Sequence, residues 1–227
     1  MTLLQITVES ASEMAAVEGY HTVALWELLL KGGWVMIPLA LLFVVAVYIF
    51  FERYFVIRRA QKIPTDFMDK IRQQVVAGNI EGAISLCQQI DNPAARMIEK
   101  GLSRIGRSMQ DITVAIENAA NLEVYKLENN LSILATIAGA APMLGFLGTV
   151  TGMIRAFYRL STAGNNIDPA MLAGGIYEAM ITTATGLLIG IIAYVGYNYL
   201  SARIDRIVFK MEAIVLEFMD VLHQPAS

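Results

Sequence analysis

The chain has 227 residues, 56% of them hydrophobic and 16% charged, with a mean hydropathy of +0.54 and a net charge of −3. Soluble domains average about 45–50% apolar and about 25% charged residues, so this composition is that of an integral membrane protein. The slight acidic balance excludes a basic nucleic-acid-binding face. The single Cys87 excludes an intrachain disulfide, and two distant histidines, His21 and His223, give no histidine metal site.

Residues 1–31 carry one basic residue, Lys31, and the acids Glu9, Glu13, Glu18 and Glu27. A secretory leader begins with a basic segment, so this part is expected to be a retained tail outside the membrane with an interfacial helix. Gly32 to Phe51 is 20 residues without a charge. Trp34 opens it, Tyr48 and Tyr54 sit near its far end, and Pro38 lies inside. The length suits a first span over 32–52, and the aromatics suit the two membrane interfaces.

Residues 53–128 are expected to form a cytoplasmic helical domain. From Glu52 to Glu128 there are 11 basic and 10 acidic residues, so no field of one sign. Thr65 is a candidate helix cap, and Gly78-Asn79 separates two helices. Asp91-Asn92-Pro93 is a stop, because proline and its predecessor resist helix. Ser108 with Asp111 is a capping-box start. From there Ile112, Ala115, Ile116, Ala119, Leu122, Val124, Leu127 and Leu131 keep the helical period without a breaker. One unbroken helix is expected to run from Ser108 into the second span.

That span is expected over 129–157, from an uncharged run of 26 residues, Asn129 to Ile154, interrupted by Pro142. A loop over 158–173 leads to a third span over 174–200, and 201–227 continue it as an amphipathic helix. The third run, Ala179 to Ala202, has 24 uncharged residues with Glu178 at its head. A carboxylate drawn into lipid costs about 2.5–3.5 kcal/mol, so Glu178 is expected to face a pore, a partner or water. Pairing with Arg155 or Arg159 at the membrane surface is the simpler alternative. Basic residues follow the first span (Arg53, Arg58, Arg59, Lys62) and the third (Arg203, Arg206, Lys210). The positive-inside rule then places the N-terminus outside and the C-terminus in the cytoplasm. Arg155 and Arg159 run against that rule and are read as reaching outer headgroups or a partner.

At about 100° per residue, Ala138, Pro142, Gly145, Thr149, Gly152 and Ala156 share one face of the second span. Ala179, Thr183, Gly186, Gly190 and Ala193 share a face of the third. Small residues at this spacing let membrane helices approach closely. Glu178, Thr182 and Thr185 fall on a further face of the third span. Glu178 and Thr183 therefore do not share a face. Nucleotide-loop, nucleophile-elbow, H-E-x-x-H and C-x-x-C patterns are absent from the sequence, so no enzyme is expected and no cofactor or metal is implied.

Two stretches carry a family resemblance. Ala141-Pro142-Met143-Leu144-Gly145-Phe146-Leu147-Gly148-Thr149-Val150-Thr151-Gly152-Met153 resembles the AP-x-x-GLLGTV-x-G signature of the ExbB/TolQ/MotA proton-channel family. Ile176-Tyr177-Glu178-Ala179-Met180-Ile181-Thr182-Thr183-Ala184-Thr185-Gly186-Leu187 resembles its I-x-EAL-x-TA-x-GL signature. Three spans with a large insertion between the first two are closest to ExbB, with TolQ second. The resemblance implies an all-α inner-membrane protein forming a homopentamer around an ExbD- or TolR-like single-span partner that carries an intramembrane Asp. The ring is a proton-driven motor, which in the ExbB case also engages a TonB-like protein. It implies that Thr149 and Thr183 line the proton path beside that Asp, with Glu178 as the ring's acidic position. Thr182, Thr185, Gly145, Gly152, Gly186, Gly190 and Pro142 are further pore-lining or packing candidates. A TolQ-like role in envelope maintenance, or a non-conducting membrane scaffold, are the alternatives.

Overall fold

The computed structural model describes residues 32–64, 66–162 and 169–223, the side chains of Pro169 and Met171 excepted. Among these the chain is all-helical: α1 Met36–Ala60, α2 Phe67–Val76, α3 Ile80–Gln88, α4 Pro93–Leu102, α5 Met109–Glu128, α6 Leu131–Thr162 and α7 Pro169–His223. The expected tail helix before Lys31 and the candidate cap Thr65 lie outside the described residues. Three segments, within Met36–Ala60, Met109–Thr162 and Leu172–His223, are long and apolar enough to cross a membrane, with mean hydropathies of 2.1, 1.8 and 1.8. Only 22%, 28% and 39% of their most apolar windows are buried within this chain. Ile37, Leu41, Phe146, Ile154, Leu188 and Tyr194 are exposed. Apolar surface on this scale requires lipid or other subunits to cover it.

Among the described residues the chain divides into two compact units, residues 32–38 with 144–162 and 169–185, and residues 39–64 and 66–143 with 186–223, and α1, α6 and α7 each contribute to both. In the second unit the short helices follow the local signals. The Asn79 side chain caps α3 by accepting from Gly82 N at 3.0 Å, behind Gly78 at φ +75°. Asn92 caps α4 by accepting from Ala94 N at 2.8 Å, with Pro93 in the first turn where its missing N–H costs nothing. Buried Asn92 also donates to the carbonyls of Ala60 at 2.7 Å and Lys62 at 3.1 Å, which ties α4 to the end of α1. Ser108 accepts from Asp111 N at 3.2 Å while its hydroxyl donates to the Asp111 carboxylate at 2.7 Å.

Phe67, Ile71, Met97, Ile98, Leu102, Ile116 and Phe218 form the core here. Gly101 lets α4 lie against Ile116 of α5 and Phe218 of α7, since a Cβ there would come within 2.7 Å and 3.0 Å of them. Glu123 is buried on α5 and bridges Arg96 at 2.5 Å and Lys126 at 2.7 Å. Arg96 also reaches Asp91 at 2.6 Å.

The unbroken helix expected from Ser108 into the second span is corrected: α5 ends at Glu128, and α6 starts afresh at Leu131. Asn130 sits at φ +63°, the left-handed region that asparagine tolerates better than most residues. The break removes the amide that would have bonded the Lys126 carbonyl. Buried Arg53 of α1, paired with Glu52 at 2.6 Å, donates to that carbonyl at 3.1 Å instead. The apolar period crosses the break undisturbed, so hydrophobic spacing could not reveal it. The expected continuation of the third span does hold, as the 55-residue helix α7.

Candidate functional site

The first unit brings the two resemblance stretches face to face along α6 and α7. Gly148, Gly152 and Ala156 follow one another at four-residue spacing on α6, with Gly145 on the same side. Gly175, Ala179 and Thr182 face them on α7. A Cβ on Gly152 would come within 3.0 Å of the Ala179 Cβ, and one on Gly175 within 2.6 Å of the Ala156 Cβ. A Cβ on Gly148 would collide with the Thr182 hydroxyl. Missing side chains thus set the helix separation, the arrangement small-residue spacing permits in lipid.

The threonines are bonded along this seam. Buried Thr182 donates to the Ala179 carbonyl at 2.7 Å and lies 3.4 Å from the Gly145 carbonyl. Thr183, half-buried, donates to the same Gly145 carbonyl at 3.0 Å. Gly145 is buried and its carbonyl gathers two hydroxyls from the opposite helix. Thr149 lies on the flank of α6 and gives its hydroxyl proton to the Phe146 carbonyl at 2.6 Å. It lines an open, apolar groove of about 530 Å³ with Val150, Met153, Ile154 and Phe157. Thr185 is half-buried. Thr183 therefore bonds across the seam to α6, while the Thr149 hydroxyl bonds back to its own helix.

Glu178 turns toward groups of its own chain. Its Oε1 lies 3.7 Å from an Arg155 guanidinium nitrogen of α6, and a Cβ on Gly33, in the turn before α1, would collide with the same oxygen. Gly33 stands at φ +68°, a conformation glycine adopts without strain. The pairing of Glu178 with Arg155 was one of the two readings open from the sequence; Gly33 was missed. The only sequence signal for Gly33 was the Gly32-Gly33 pair ahead of Trp34. Although Glu178 and Thr183 point different ways around α7, both reach α6, because Arg155 and Glu178 are long enough to meet beside the seam.

In the second unit Gly186 and Gly190 are buried. A Cβ on Gly190 would come within 2.6 Å of Pro142 Cγ and 3.0 Å of the Ala138 carbonyl, the one Pro142 leaves without its helical amide. Gly190 thus gives Pro142 and the Ala138 carbonyl the room that a side chain would take. Cys87 is buried, and burial pushes its thiol up to about 12, with the Glu99 charge adding to the effect; it carries no thiolate at neutral pH. Among the described residues no group of His, Cys, Asp or Glu could hold a metal ion.

A sequence model described as the MotA/TolQ/ExbB proton channel family matches residues 89–213. A putative biopolymer transport protein ExbB homolog of Methanothermobacter thermautotrophicus is 30% identical over 189 residues, 83% of this chain and 67% of that protein. The Tol-Pal system protein TolQ of Haemophilus influenzae is 37% identical over 142 residues, 63% of this chain and 58% of that one. A putative biopolymer transport protein ExbB-like 1 of Synechocystis is 30% identical over 207 residues, 86% and 80% of the two chains.

Proposed function

From the premise that this chain belongs to the MotA/TolQ/ExbB proton channel family, we propose that it is the ExbB-like ring subunit of an inner-membrane motor that couples proton flow to TonB-dependent transport across the outer membrane. Its spans are 32–52, 129–157 and 174–200, with the N-terminus outside and the domain 53–128 and tail 201–227 in the cytoplasm. Five copies surround a single-span ExbD- or TolR-like partner that carries an intramembrane Asp. Thr149 and Thr183 belong to the proton path, and Glu178 stands at its outer entrance.

The observation that carries this reading is Thr149. Its O–H is spent on the Phe146 carbonyl, so the oxygen offers lone pairs to an otherwise apolar groove. A protonated partner carboxyl can donate to that oxygen, while a partner helix of ordinary apolar side chains fits the rest. Threonine oxygens engage a carboxyl without trapping it by fixed charge. The test is gradient-driven proton flux through the whole complex in vesicles, with Thr149→Val, Thr183→Val and Glu178→Ala. Loss of flux with intact assembly is expected. Full flux in all three assembled variants sinks the channel reading and leaves a scaffold.

The TolQ-like reading is favoured by one observation, the higher identity to TolQ of Haemophilus influenzae over the shorter match. Deletion separates the two: loss of iron-complex or vitamin uptake for the ExbB-like role, detergent sensitivity and chaining for the TolQ-like role.

A further inference from the structure

We propose that Arg155 is a positioning residue for Glu178, and that the Glu178 carboxylate serves as the fixed counter-charge of Arg155 at the outer entrance instead of carrying the transferred proton. This deepens the proton-channel reading and rests on it.

The register of the α6–α7 seam is the first argument. Gly148 meets Thr182, Gly152 meets Ala179, and Ala156 meets Gly175. Each step up α6 is matched by a step down α7. Arg155 and Glu178 fall between the last two of these contacts, so two opposite charges stand at one height because glycines dictate the register, whatever the side-chain rotamers. The distance of 3.7 Å is that of an ion pair without a tight hydrogen bond.

The surroundings are the second argument. Gly33 closes on the Glu178 oxygen from the turn before α1, and its missing side chain is what leaves the carboxylate room there. Three segments of one subunit therefore converge on Glu178, whose side chain is 33% exposed. A proton carrier for a partner inside the ring would have to reach out of the subunit. The charge pattern is the third argument. Arg155 is the first charge beyond one uncharged run and Glu178 the last before the next. An unpaired charge at either position is costly near hydrocarbon, and the pair removes that cost for both.

The test is a charge exchange in the complete complex with its single-span partner, reconstituted in vesicles. Glu178→Arg alone and Arg155→Glu alone are each expected to cut proton flux about tenfold, since each puts two like charges in contact. The exchanged double variant is expected to recover flux to within about threefold of the parent, because the pair is restored in reverse. Flux that stays at the level of Glu178→Arg, in a double variant that assembles normally, overturns the proposal: the carboxylate itself is then required. If the exchanged protein does not assemble, Glu178→Gln, Arg155→Gln and their combination take its place. The combination is expected to conduct better than either single variant, and a combination no better than the lower single variant overturns the proposal. A parent complex that conducts no protons is a failure of the channel reading. In that case the pair is read in thermal unfolding of the same three glutamine variants, where additive melting shifts overturn it and non-additive shifts uphold it.

Discussion

Replacing Gly148 by alanine inserts one methyl group at the tightest point of the α6–α7 seam. The new Cβ would lie 2.6 Å from Thr182 Cβ and 3.1 Å from its Cγ2, and would overlap its hydroxyl. Carbon contacts are comfortable at about 3.5–4.0 Å, so the gap is short by about 1 Å. Thr182 cannot simply rotate: it is 1% exposed and its hydroxyl is bonded to the Ala179 carbonyl at 2.7 Å. Turning it strands a buried hydroxyl, at about 1–3 kcal/mol. Separating the helices by about 1 Å instead stretches the Thr183 bond to Gly145 from 3.0 Å beyond useful range, a loss of about 0.6 kcal/mol in a membrane helix pair, together with the packing around it. Either route falls in the usual range for overpacking, about 1–3 kcal/mol. A chain of this size then melts about 2–12 °C lower. Gly139, on the same helix, is the control, because a Cβ there meets nothing within 4 Å. Gly139→Ala should cost nothing and gain up to about 1 kcal/mol. The assay is thermal unfolding of both variants in the same detergent. Melting temperatures for the two that agree within about 1 °C would refute the claim that glycine sets the helix separation.

Three further outcomes follow from the second unit. Asn92→Ala removes a helix cap and two bonds to the end of α1, and should cost about 2–3 kcal/mol in chemical denaturation, whereas Asn92→Asp keeps the cap but sets a buried carboxylate oxygen against the Ala60 and Lys62 carbonyls, and should cost at least as much at neutral pH. Burial pushes the Glu123 carboxyl up, but the bonds and charges of Arg96 and Lys126 outweigh it and hold the group below the usual carboxylate range. Its stabilisation is therefore complete above about pH 4.3, the unfolded carboxylate value, and is lost as pH falls through the lower folded value. Glu123→Gln should melt lower at neutral pH and show a flatter acid limb by circular dichroism; an acid limb unchanged from the parent would count against this pair. Asn130→Val, with a β-branched residue at φ +63°, should destabilise by about 1–2 kcal/mol, while Asn130→Gly should stay within about 0.5 kcal/mol of the parent in the same melt.

Much of this protein was legible in its residue order, because the features concerned are local. The three apolar runs, the helix breaks at Gly78-Asn79 and Asp91-Asn92-Pro93, the cap at Ser108, and the small-residue faces of α6 and α7 depend on side-chain chemistry within a few residues. Their helical consequence needs no partner to be known. The break at Asn129-Asn130 was not legible, since the apolar spacing of Ile112 to Leu131 runs straight through it. What marks the break is a backbone torsion and an arginine 73 residues away taking a carbonyl. Gly33 was equally hidden: nothing within its own stretch indicates that a carboxylate would come to rest beside it.

Glu178 shows where the division falls. Its position at the head of an uncharged run, and the cost of a charge there, followed from the sequence alone. Two partners on α6 and more than one facing direction remained possible, because a helix wheel fixes angles around one axis and not the register against another. Close contacts at Gly148, Gly152 and Gly175 decide that register, and the register selects Arg155. Tertiary packing thus supplied the one fact that periodicity cannot contain, the height at which two helices meet.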